Sequence, residues 1–315
     1  MDTIFFGGGT PSLLHCSEID NITRSLNEAF DISDNVEFTI EANPKTLSLD
    51  KLRVFMDNGV NRLSIGLQSI HDNELKKLGR IHSFEDFLST YTMARELGIV
   101  NINIDLMYGI PDQTLISFSD ALDKAINLSP EHLSVYGLIL EEGTDFYKRR
   151  KLLNLPGEDA ECEMYSVACN LLNNAGYNHY EISNYSKYGF ESKHNLKYWE
   201  CKEYLGFGLS AHSYFRGVRF SNSDKVADYI NNKGRNFIEL TSNDARSEFI
   251  MLSLRLSKGF SLSEYKRRFG YDFVNEHNDF LKLCVHDGLV IFKDDTISLT
   301  ERGFYVSNSI IAELI

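Results

Sequence analysis

Residues 3–12 read TIFFGGGTPS. An apolar, β-branched run passes straight into three glycines, and a proline and a serine end it. This pattern predicts a strand that delivers its chain into a loop able to approach a ligand at backbone distance. Glycine has no Cβ, so the N–H groups around Gly7, Gly8 and Gly9, with Thr10 beside them, can point at a carboxylate, a phosphate or an amino-acid head group. Very little chain precedes this loop, so the fold is expected to be entered part-way through.

The same unit recurs for about 180 residues: strand, polar loop, helix, glycine, next strand. Gly59, Gly98 and Gly176 each close a helix before an apolar run, the position where glycine takes the left-handed conformation. Ser83 with Asp86, and Ser48 ahead of Leu49, mark helix starts. The spacing predicts strands near 3–6, 36–41, 62–66, 101–106, 133–139 and 178–182. Helices are expected near 17–30, 48–58, 84–97, 115–127 and 158–175. Alternating strands and helices imply a parallel sheet with right-handed crossovers. Beyond residue 243 the pattern changes. Helices are expected over 248–256, 261–269 and 273–287, followed by a hairpin from 288–292 to 297–299. The reading is therefore α/β. Residues 1–182 carry the repeating strand–helix units, 183–242 form an irregular aromatic-rich connector, and 243–315 a small winged-helix-like α+β domain.

Composition narrows the function classes. The 315 residues are 43% hydrophobic with a formal net charge of -13, which suits a large core and gives no basic patch for nucleic acid. A docking role for the C-terminal domain is favoured over DNA binding for the same reason. No apolar run reaches the length of a membrane span, no secretory leader is visible, and a cytoplasmic location is expected. Five cysteines, Cys16, Cys162, Cys169, Cys201 and Cys284, are scattered with no C-x-x-C pair. They read as free thiols in a reducing compartment.

Active sites of parallel α/β folds lie at the carboxyl ends of the strands. The strand ends here offer the glycine loop, Glu41 with Asn43, Gln68 with Ser69, Asp105, and Tyr136 followed by Glu141. Arg80 follows shortly after Gln68 and can take a carboxylate bidentately. Carboxylates at strand ends need partners, and a ligand amine or a ribose diol supplies them. The set points to a zwitterionic, nucleoside-bearing ligand. The loop is neither a Walker A sequence nor a G-x-G-x-x-G fingerprint, which argues against an ordinary nucleotide-binding barrel.

These residues, in GGGTPS, TIEANP, LSIGLQS and NIDLMYGIP, resemble the radical S-adenosylmethionine (SAM) superfamily, and within it the oxygen-independent coproporphyrinogen III oxidase group. The resemblance covers essentially the whole chain, including LTERG at 299–303, and implies that residues 1–182 form a partial (β/α) barrel. It implies that Gly7, Gly8, Gly9 and Thr10 hold the methionine amino group of S-adenosylmethionine. It implies further that Glu41, Gln68, Arg80 and Asp105 contact the ligand's carboxylate, ribose or sulfonium region. The segment LGFGLSAH at 205–212 matches a family loop near the adenosine, making Ala211 and His212 cofactor-binding positions. One departure is serious. The family's C-x-x-x-C-x-x-C loop, whose thiolates bind a [4Fe–4S] cluster, is absent from these residues, and no other cysteines have the spacing to replace it. The chain as given is therefore expected not to perform radical chemistry, and an N-terminally truncated form is the preferred explanation.

A second motif, HNLKYW at 194–199, is similar to the heme chaperone branch of that group. It makes His194, Asn195, Tyr198 and Trp199 heme-binding positions, with His194 a heme iron ligand. Imidazole can ligate iron, and the two aromatic faces suit a macrocycle. His71, His179 and His212 are weaker candidates. The expected function is a heme-binding chaperone that delivers heme to an acceptor protein. The alternative is the oxidase itself, which decarboxylates porphyrinogen propionates; it needs the cluster segment and basic residues such as Arg216 and Arg219. A zinc site at Cys201 is disfavoured by spacing.

Overall fold

The computed structural model describes residues 1–144 and 146–315, which divide into two units, Met1–His194 and Asn195–Ile315. Each is described by itself.

The first unit is built on a curled seven-stranded sheet. Its strands are β1 (Thr3–Phe6), β2 (Glu37–Ala42), β3 (Arg62–Gln68), β4 (Asn101–Tyr108), β5 (His132–Gly137), β6 (Asn178–Glu181) and β7 (Asn184–Ser186), in the order β1-β2-β3-β4-β5-β7-β6. The first five pair in parallel. The sixth does not extend the parallel set. β7, a strand the sequence pattern did not mark, inserts antiparallel between β5 and β6. Three residues are too few to show a period, and the tight 181–184 turn forms because β5 offers a free edge.

The helices match the glycine and capping signals. Leu49–Asp57, Phe84–Glu96 and Glu158–Asn174 are followed closely by Gly59, Gly98 and Gly176, with φ of 90°, 87° and 84°. Ser48 caps the first, and Ser83 with Asp86 forms a capping box on the second. Side chains of the strands alternate between two faces. Ile40, Leu63, Ile65, Ile104 and Leu133 pack outward, fully buried with Leu52, Phe55, Phe87 and Phe118 of the helices. The concave face is polar. Parallel register sets Glu41 beside Ser64, Ser64 beside Asn103, Gly66 beside Asp105, and Asn103 beside His132.

The second unit holds two small antiparallel sheets. One comprises β8 (His212–Phe215), β9 (Val218–Ser221) and β10 (Asn236–Glu239). The other comprises β11 (Phe260–Ser261), β12 (Val290–Lys293) and β13 (Thr296–Leu299), so the expected hairpin has a third strand. The helix expected at 248–256 runs from Ser242 to Ser253, because Thr241 and Asp244 form a capping box upstream. The single helix expected over 273–287 is two, Phe273–Glu276 and Asn278–His286. Among the described residues no helix is long and apolar enough to cross a membrane.

Candidate functional site

The strand ends of the first unit surround a cavity of about 210 Å³. It brings together Gly9, Thr10, Glu41, Asn43, Gln68, Arg80, Asp105 and Tyr136, and adds Ser64 and Gly66. Gly8 turns its N–H onto Glu41 Oε2 at 3.2 Å, so that part of the glycine loop holds the carboxylate. Gly8 and Gly9 both take left-handed φ, 78° and 66°, which a side chain would strain. Ser69 and Glu141 lie outside the cavity lining. Ser69 is buried and donates to Glu74 Oε2 at 2.6 Å. A larger depression of about 500 Å³ beside Leu49 and Met93 has Glu96 as the charged member of its lining and offers no chemical constellation.

A bulge shapes the cavity floor. The β3–β4 register slips between Gly66 and Gln68, and Gln68 adopts φ 62°. A Cβ on Gly66 would stand 2.5 Å from Gln68 Nε2, so glycine is what lets this amide fold back over the strand. Gln68 Oε1 is buried with no hydrogen-bond partner among the described residues. The Arg80 guanidinium donates to Asn43 Oδ1 at 3.4 Å and makes no ion pair among the described residues. A cation and an orphaned amide oxygen therefore face the same space as two carboxylates. Burial raises the pKa of Glu41, against the Gly8 N–H, and Asp105 adds to the rise. Burial also raises Asp105, against its hydrogen bonds and the charges of Arg62 and Arg80. Tyr136 is raised by burial as well and stays protonated. The arrangement suits a ligand with an ammonium or hydroxyls for the carboxylates and a carboxylate for Arg80.

Below the cavity the polar column continues. Asn103 Nδ2 donates to Asp105 Oδ1 and to Ser64 Oγ, each at 2.7 Å. Its oxygen therefore faces His132 Nδ1, at 2.6 Å, which must carry the proton. His132 Nε2 then accepts from Tyr180 Oη at 2.7 Å, and Tyr180 Oη accepts from the Ser192 N–H at 3.2 Å. His132 is fully buried, and burial holds its pKa well below the ordinary histidine value.

The second motif lies on one short helix, Lys193–Trp199. His194 and Tyr198, four residues apart, share a face of it. His194 Nδ1 lies 3.0 Å from Thr3 Oγ1. In the second unit Tyr198 meets Tyr204 edge-on, with ring centroids 4.6 Å apart, and burial pushes its hydroxyl up to about 12. The Trp199 indole N–H is buried with no hydrogen-bond partner among the described residues. Asn195 follows His194 on the helix. Ala211 precedes β8, and His212 opens it with its side chain exposed. Of the weaker histidines, His71 bonds the Ser117 carbonyl and His179 stacks on Tyr185 at 4.3 Å. Arg219 is committed to a two-point ion pair with Glu248, at 2.6 and 2.8 Å, which removes it as a propionate anchor. Arg216 lies over the Phe215 ring. No group of His, Cys, Asp or Glu close enough to hold a metal ion occurs among the described residues, and the dispersed thiols do not suit a [4Fe–4S] cluster.

A curled parallel half-barrel with a polar, zwitterion-matched mouth defines a protein of the radical SAM class. The Radical SAM superfamily model matches residues 1–125, and the HemN C-terminal domain model matches 240–306. Heme chaperone HemW of Bacillus subtilis is 38% identical over 98% of this chain and 84% of the relative, and that of Lactococcus lactis 35% identical over 98% and 83%. The chain belongs to the HemW heme chaperone family. Among solved structures, the radical SAM coproporphyrinogen III oxidase HemN of Escherichia coli superposes with a TM-score of 0.85, at 25% identity, over 99% of this chain and 77% of that one. The sequence motifs missed Ser64 and Gly66 as lining residues; the alternation of β3 against Glu41 and Asp105 is the signal that would have found them.

Proposed function

We propose that this protein is a heme-binding chaperone that takes up heme and hands it to acceptor proteins, with His194 as the iron ligand. The observation that carries the reading is the helix Lys193–Trp199, which carries the whole HNLKYW motif and whose buried Trp199 indole N–H has no partner among the described residues. Family membership supports it over the oxidase. Heme here is cargo, and Asn195, Tyr198 and Trp199 are its further proposed contacts. The mouth would bind S-adenosylmethionine: Glu41 and Asp105 take its amine or ribose hydroxyls, Arg80 its carboxylate, and Gly7–Thr10 its amino end. Ala211 and His212 are proposed as cofactor-binding positions on the family resemblance of their loop alone. The family implies a [4Fe–4S] cluster, which supplies electrons for sulfonium cleavage; the dispersed thiols of these residues do not suit it.

The experiment is an anaerobic heme titration followed by Soret absorbance, with His194→Ala beside the parent protein. Saturable binding that the substitution abolishes, with the fold intact by circular dichroism, is expected. Equal binding by both proteins would remove His194 as the ligand.

A further inference from the structure

The His194 ring and its backbone are held by residues outside the HNLKYW motif. Thr3 Oγ1 stands 3.0 Å from Nδ1. Phe5 stacks on the imidazole, with centroids 5.0 Å apart and planes inclined by 23°. The Glu37 carboxylate accepts the Lys193 N–H on Oε2 and the His194 N–H on Oε1, both at 3.0 Å. Thr3 and Glu37 are register partners on β1 and β2, and both are buried. One rung of the parallel sheet thus grips the start of the helix, its carboxylate holding the backbone and its hydroxyl holding the ring.

The Thr3 hydroxyl engages Nδ1, and it can accept from that nitrogen as well as donate to it. Neutral imidazole has one N–H and one lone pair. If Nε2 gives its lone pair to iron, the proton stays on Nδ1 and needs an acceptor, and that acceptor orients the ring. Thr3 Oγ1 stands at the acceptor position. We infer that Thr3 and Glu37 are positioning residues for His194: Thr3 accepts the Nδ1–H when Nε2 ligates heme iron, and Glu37 fixes the helix turn that carries the ring. The inference rests on the heme-binding reading above. A neutral hydroxyl raises the basicity of the imidazole less than a carboxylate would, so the iron–nitrogen bond stays exchangeable, as cargo requires.

The test uses the full chain and hemin. Thr3→Val keeps the shape and removes the acceptor; Thr3→Ser restores it. Thr3→Val should weaken hemin binding about tenfold or more and shift the iron–imidazole stretch in resonance Raman of the ferrous complex. Thr3→Ser should return both to the parent values. Glu37→Gln, with one acceptor oxygen in place of two, should weaken binding about threefold and serves if Thr3→Val does not fold. Parent-like affinity and stretch in folded Thr3→Val, alongside loss of both in His194→Ala, would overturn this inference and leave the chaperone reading standing. Unchanged binding in His194→Ala would overturn this inference together with His194 as the iron ligand.

Discussion

Acid should loosen this fold through His132, and the size of the effect follows from its hydrogen bonds. The ring is fully buried, with Nδ1–H given to Asn103 and Nε2 accepting from Tyr180. A second ring proton would meet the Tyr180 O–H where it now finds a lone pair, so the folded state keeps the imidazole neutral and its pKa well below 6.5. The unfolded chain takes up the proton near pH 6.5. Between that pH and the depressed folded value the unfolded state binds one more proton, so stability is full above 6.5 and falls as pH falls. The slope is about 1.4 kcal/mol per pH unit, or about 2 kcal/mol by pH 5. His132→Gln removes this term while other buried histidines, such as His179, whose pKa burial lowers to about 4, titrate in both proteins. At pH 7.5 the variant should be less stable by about 2–3 kcal/mol, from two lost hydrogen bonds and an unsatisfied partner. The assay is urea unfolding by circular dichroism at half-unit steps from pH 7.5 to 5. The gap between the proteins should shrink by about 2 kcal/mol over that range. Parallel stability curves would refute the neutral, doubly bonded histidine.

Other substitutions probe the mouth and its support. Gly66→Ala places a Cβ 2.5 Å from Gln68 Nε2 and should cost about 1–3 kcal/mol of stability while weakening S-adenosylmethionine binding in calorimetry. Arg80→Ala should reduce that binding about tenfold or more, by loss of a charge-assisted contact, with the unfolding midpoint unchanged. Glu74 is buried and accepts from Ser69 Oγ, Gln113 Nε2 and Ser117 Oγ at 2.6, 3.2 and 2.7 Å. Glu74→Ala removes the acceptor of Ser69 Oγ, while Gln113 Nε2 and Ser117 Oγ keep the Met107 and Thr114 carbonyls, and should lower unfolding free energy by about 1–3 kcal/mol in a urea titration.

Much of this protein is legible in local pattern. Glycines after helices, serine caps and apolar runs set the β1–β5 elements, because those signals act within a few residues. Parallel order follows from their alternation, and parallel order alone puts Glu41, Gln68 and Asp105 at one end of the sheet. Register and long-range pairing were not legible. Ser69, beside Gln68, turns inward to Glu74, whereas Ser64 reaches the cavity from within its strand. The bulge at Gly66 and the inserted β7 depend on which edge each strand meets. The motif named His194 but not its holders, since Thr3 and Glu37 lie 191 and 157 residues away in the chain. A sequence period fixes which face of an element is apolar; which atoms then meet across that face is decided by the packing of distant segments.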